Sequence, residues 1–168
     1  MEKNKTACAI CDAGPLIHLD ELSCLPLLED FTSVIVPAGV WEEARRHRGA
    51  EFSLPCERVV SPGRAAPEWE SVFRSLALHR GEMEALRVAA SRPRCLLLTD
   101  DMAARLAAEK CGVPAAGTVG VMVRALRRGL RTKAEVLDLL KQLPERSTLH
   151  LKPALLAKVI ATVAAEDR

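Results

Sequence analysis

The chain has 168 residues, of which 49% are hydrophobic, 27% charged and 3% aromatic, and its formal net charge is +2. This length favours one domain, and the balance of apolar and charged residues excludes wholesale disorder and fibrous repeats. No apolar run approaches the roughly 18–20 residues needed to span a bilayer, and so few aromatics argue against recognition by base-stacking platforms.

The run ACAIC at 7–11 predicts a buried strand. It is too short for the apolar core of a signal peptide, so a cytoplasmic protein is expected. A helical region follows through residue 28. SVIV at 33–36 predicts a second strand, and Pro37 suits the first turn of a helix over 38–47. Residues 49–55 form a loop, 58–61 a short strand or extended link, and Pro67 opens a helix carrying Trp69, Val72, Phe73 and Leu76. Gly81 precedes a helix over 82–91. CLLLT at 95–99 is apolar throughout, as a central parallel strand buried on both faces must be. A helix over 101–111 ends at Gly112 and Pro114, VPAAG supplies a short strand, and Thr118 caps a helix over 119–128. Helices over 133–143 and 153–164 complete the chain. Alternation of strand and helix predicts one α/β domain, with a central parallel sheet between helical layers.

The near-neutral total hides an uneven distribution. Residues 1–100 carry 12 basic and 15 acidic side chains (−3), while 101–168 carry 12 and 7 (+5). The sharpest basic run, Arg124, Arg127, Arg128, Arg131 and Lys133, reads either as a solvated helix end or as a surface for an anionic partner. Cys8 and Cys11 form a C-x-x-C. Residues three apart in a strand point to opposite faces, so they cannot chelate one ion, and no second pair completes a zinc set. Free buried cysteines are expected.

In open α/β sheets functional groups gather at the C-terminal ends of strands. Asp12 follows the first strand directly, and Thr99, Asp100 and Asp101 follow or end the CLLLT strand. Helical spacing places Glu82 with Ala85, Leu86 and Ala89 on an inward stripe, and Glu84 on the polar face with Arg87 and Ser91. It places Glu43 with Val40 and Ala44. Inward carboxylates are costly unless paired or bound to metal. Acids at two strand ends and two inward helix faces therefore predict one acidic cluster, and all-oxygen donors suit Mg²⁺ or Mn²⁺ rather than zinc.

Other chemistries fit less well. Gly14 stands where a haloacid-dehalogenase-like phosphatase needs a second aspartate, and VPAAGT lacks the late lysine of a receiver domain. There is no G-x-x-x-x-G-K-[ST] phosphate loop. His18, His47, His79 and His150 show no spacing for a nucleophilic triad and are expected to be structural or surface residues.

CDAGPLIHL at 11–19, VPAGVWEEA at 36–44, RGEMEAL at 80–86 and LLLTDDMAARLAAEKCGVPAAGTVGV at 96–121 run in one order over most of residues 8–128. In these motifs the sequence resembles the PIN-domain nucleases, in particular the prokaryotic single-domain group that includes the VapC-like toxins. The resemblance implies a three-layer PIN-like fold with its core at about 7–130 and a C-terminal helical extension over about 131–168. It implies a metal site of Asp12, Glu43, Glu82 and Asp101, with Asp100 as a further member and Thr99 orienting a water or carboxylate. Glu84 is a lesser alternative. It also implies Mg²⁺- or Mn²⁺-dependent hydrolysis of RNA to 5′-phosphate and 3′-hydroxyl ends, a homodimer, and a toxin role with an antitoxin protein as partner. Arg45, Arg46, Arg48, Arg80 and Arg105 lie near those acids in sequence and are candidate phosphate contacts. The alternative reading is a PIN-like scaffold that binds RNA or a protein without cutting.

Overall fold

A computed structural model of the chain describes residues 8–60, 63–92 and 94–166. Its strands are β1 (Ala9–Cys11), β2 (Val34–Pro37), β3 (Glu57–Val59), β4 (Leu96–Leu98) and β5 (Ala115–Ala116), in spatial order β3-β2-β1-β4-β5 and all parallel. Ala7 and Ser61, expected at strand ends, lie outside the described residues. The helices are α1 (Ala13–Glu21), α2 (Ala38–Arg48), α3 (Pro67–Ser75), α4 (Arg80–Ser91), α5 (Met102–Lys110), α6 (Thr118–Arg127), α7 (Lys133–Arg146) and α8 (Pro153–Ala165).

Side-chain alternation along the strands divides the interior into two cores. Ala9, Cys11, Val34, Val36 and Leu98 face one core, closed by α1, α2, α6, α7 and α8; Ile10, Ile35 and Leu97 face the other, closed by α3, α4 and α5. The result is the three-layer α/β/α arrangement expected from the alternation of elements. The central strands β1 and β4 are apolar on both faces for this reason.

Three local expectations change. The helical region after β1 breaks at Leu22, and a short 3₁₀ segment, Leu25–Asp30, carries the chain onward. Thr118 is not a cap but the first residue of α6, following Gly117. Cys8 is not a free thiol: it forms a disulfide with Cys95, with the Cα atoms 4.6 Å apart. The Ala9↔Leu96 register sets these two residues side by side, just before β1 and β4. Cys11, Cys24, Cys56 and Cys111 are free, and burial raises all four thiols.

The basic run of the C-terminal third is tied into the fold by ion pairs and carbonyl contacts. Asp30, buried at the end of the 3₁₀ segment, accepts from Arg124 Nη2 at 2.6 Å and Arg128 Nε at 3.1 Å. Arg127 bonds Glu166, Arg131 bonds Glu135, and Lys133 reaches the Ala164 and Glu166 carbonyls. Among the described residues no helix is long and apolar enough to cross a membrane.

Candidate active site

The strand order turns about β1 and β4: the connections after β1 lead to one side, and the chain returns to add β4 and β5 on the other. This switch point is where open α/β sheets form a crevice beyond their strand ends. Asp12 and Thr99 follow the paired residues Cys11 and Leu98. They therefore emerge together, and Thr99 Oγ1 donates to Asp12 Oδ2 at 2.8 Å. The same hydroxyl accepts from Asp101 N at 3.2 Å, so one buried threonine fixes both acids. It orients a carboxylate, that of Asp12.

Each of three acids also serves a helix start. Asp12 caps α1, accepting from Ala13 N at 2.8 Å, and Asp101 caps α5, accepting from Ala104 N at 2.8 Å. Glu82, at the third position of α4, accepts from His79 N at 2.7 Å, while the His79 ring accepts from the Glu82 amide to complete a capping box. Gly81 lets α4 approach α2: a Cβ there would stand 3.3 Å from Glu43 Oε2.

These acids share one cleft of about 320 Å³, lined by Asp12, Glu43, Glu82, Asp100 and Asp101 together with His18, His79 and the 148–150 segment. Burial pushes the Asp12 carboxyl up to about 6, and the charges of Glu82 and Glu43 add to the rise against hydrogen bonds from Thr99 and Ala13. Burial likewise raises Glu82, with Asp101 and Glu43 contributing. The four acids thus act in one electrostatic field.

Asp100 stands apart from them chemically. Its Oδ1 accepts from Thr118 N at 2.7 Å, and its Oδ2 takes Thr118 Oγ1 at 2.5 Å and His18 Nδ1 at 2.8 Å. Burial alone would raise this carboxyl; the bonds from His18 and Thr118 outweigh it and hold it below the usual range. Gly117 makes the arrangement feasible, since a Cβ there would lie 2.4 Å from Asp100 Oδ1. Asp100 braces α1 and α6 against the end of β4.

Glu84 is the second departure. It is buried, not on a polar face, and its Oε2 accepts from Gly39 N at 2.9 Å while its Oε1 meets Arg80 Nε at 2.8 Å. It joins α4 to the start of α2 and does not line the cleft. None of the expected arginines lines the cleft either. Arg80 pairs with Glu84, Arg48 pairs with Asp20 at 2.6 Å, Arg45 and Arg46 are exposed on the last turns of α2, and Arg105 lines a separate groove with Leu76, Met102 and Leu106. The described basic side chains in the cleft are three imidazoles, His18, His79 and His150. His150 arrives from the α7–α8 connector, a placement that no local pattern in the sequence signals.

The acids fit a hard divalent cation: their donors are oxygens that repel one another, and burial, with neighbouring charge added, raises two of them, Asp12 and Glu82. The acids surround the cleft rather than closing on one point, and among the described residues no three His, Cys, Asp or Glu side chains stand in metal-ligating arrangement.

A family model described as a PIN domain, DUF3368, matches residues 8–165. The chain belongs to the PIN-domain family. PIN domains are in general nucleases, and the match spans the sheet, the acidic cleft and the C-terminal helices that cover it. No curated protein and no solved structure matches the chain significantly.

Proposed function

We propose that this PIN domain is a Mg²⁺- or Mn²⁺-dependent endoribonuclease, with Asp12, Glu43, Glu82 and Asp101 as its metal-binding acids. The observation that carries the reading is the meeting of these four carboxylates in one cleft at the sheet's switch point, with Asp12 pushed up to about 6. RNA as the substrate, and a toxin-like role with an antitoxin partner and a homodimer, follow the sequence resemblance.

A bound divalent ion supplies charge neutralisation at the scissile phosphate and a water of lowered pKa. The residues of the chain hold the oxygens that receive it. Thr99 fixes Asp12 and Asp101 relative to each other, and the α4 capping box fixes Glu82. Asp101 Oδ1 and Glu82 Oε2 are engaged with backbone amides, so the second oxygen of each is the one that would receive the ion. Asp100 lines the same cleft and serves in this reading as a brace beside the four acids.

The test is cleavage of mixed RNA and DNA pools with Mg²⁺ or Mn²⁺ by the wild type, Asp12→Asn and Asp101→Asn. Metal-dependent RNA cleavage lost in both variants supports the reading. No cleavage by the wild type with either metal overturns it in favour of a binding scaffold, and full activity in the variants overturns the assignment of these acids. Light scattering and co-purification with the product of a neighbouring gene test the dimer and the antitoxin.

A further inference from the structure

We propose that His150 is a substrate-binding residue that holds the phosphodiester backbone of RNA against the acidic cleft; this rests on the nuclease reading above. An RNA strand entering a cleft lined by five carboxylates meets repulsion, and the described lining contains no arginine or lysine to offset it. The basic groups of that lining are imidazoles, with Arg105 outside it beside Gly117. The His18 ring is engaged with Asp100, and the His79 ring with the start of α4. His150 is exposed at the cleft, with no hydrogen-bond partner among the described residues.

Its backbone is not loose. Glu21, at the end of α1, accepts from Ser147 Oγ at 2.9 Å, Thr148 N at 2.7 Å and Thr148 Oγ1 at 2.9 Å. Leu149 and Leu151, on either side of His150, are partly buried and pack against the larger core. The connector is thus anchored on both sides of a ring that has no structural duty of its own. An imidazole carries an N–H in either protonation state, and a phosphate oxygen is the acceptor that it would meet over an acidic floor.

The experiment compares full-length wild type, His150→Ala and His150→Asn on a single-stranded RNA with saturating Mg²⁺, and titrates Mn²⁺ into each protein. Loss of one hydrogen bond to a charged group predicts a KM raised roughly tenfold for His150→Ala. With uniform binding lost, kcat should change by less than about twofold. His150→Asn, which keeps an N–H donor, should recover part of the KM, and Mn²⁺ affinity should be unchanged in all three. An unchanged KM, a loss confined to kcat, or weakened Mn²⁺ binding in His150→Ala overturns the inference while the nuclease reading stands. A wild type that cuts no RNA overturns both.

Discussion

Thr99 Oγ1 donates to Asp12 Oδ2 across a separation of 87 residues, and both groups are buried. The bond favours the charged carboxylate, so its removal must raise the Asp12 pKa further above about 6. Thr99→Val keeps the shape and deletes the hydroxyl. We expect the acid limb of the pH–activity profile to move to higher pH, and stability to fall by about 1–3 kcal/mol. Urea denaturation and a pH–rate series check the two effects.

Asp12 also sets a pH dependence of folding in the metal-free protein. Its carboxyl is raised from 3.8 unfolded to about 6 folded, so the folded state binds more protons between those values. Stability therefore falls as pH rises through about 4 to 6, and the cost, on the order of 2–3 kcal/mol, is fully present above about 6. Asp12→Asn should lack this slope and be more stable than wild type at pH 8 with chelator present. Melting curves of wild type and Asp12→Asn from pH 4 to 8 measure it as a difference, since the depressed carboxyls, Glu70 among them, slope the other way in both proteins; a difference that does not change over that window contradicts the assignment.

Glu82 and Glu84 should separate cleanly. Glu84→Gln weakens the tie to Gly39 N and Arg80 and should cost about 1–2 kcal/mol of stability while leaving Mn²⁺ affinity unchanged. Glu82→Gln should weaken Mn²⁺ binding and cleavage by at least about tenfold. Gly39→Ala should resemble the Glu84 variant, because its Cβ would stand 2.6 Å from Glu84 Oε2. Calorimetric titration and melts on the three variants distinguish the roles.

The contrast shows how far sequence periodicity reaches. The apolar runs and helical stripes yield the parallel sheet, the helices and the choice of Glu43 and Glu82, because one-dimensional period reports which face turns inward. Glu84 escapes because α4 packs against the start of α2 as well as the sheet, and a single stripe cannot represent a second packing direction. The hydrogen bonds that Asp100 receives from Thr118 and His18 are equally illegible, because their donors arrive from α6 and α1. His150 is invisible for the same reason: its position depends on how α7 and α8 return over α1. The Cys8–Cys95 pair needed the β1–β4 register, which composition does not contain.

That disulfide gives a further measurable response. It closes a separation of 87 residues, and the loop-entropy model assigns such a link about 4–5 kcal/mol. Reductant should lower the Tm of oxidised protein by on the order of 10 °C, whereas Cys8→Ser should melt at one temperature with or without it. Mass spectrometry under alkylation identifies the pair; equal melts for reduced and oxidised wild type would remove its stabilising role.

Asp12, Asp101 and Glu82 each hold a backbone amide at the start of a helix as well as facing the cleft. Asparagine caps a helix about as well as aspartate, and one nucleotide separates their codons. If these acids hold the proposed metal, a descendant of this protein can abandon that chemistry in a single mutational step while keeping every helix start intact. Active and silent members can then lie one substitution apart along a lineage. On the proposed reading, an amide at position 12 or 101 in such a lineage would mark loss of metal binding with the helix start kept, whereas an alanine would give up the cap as well.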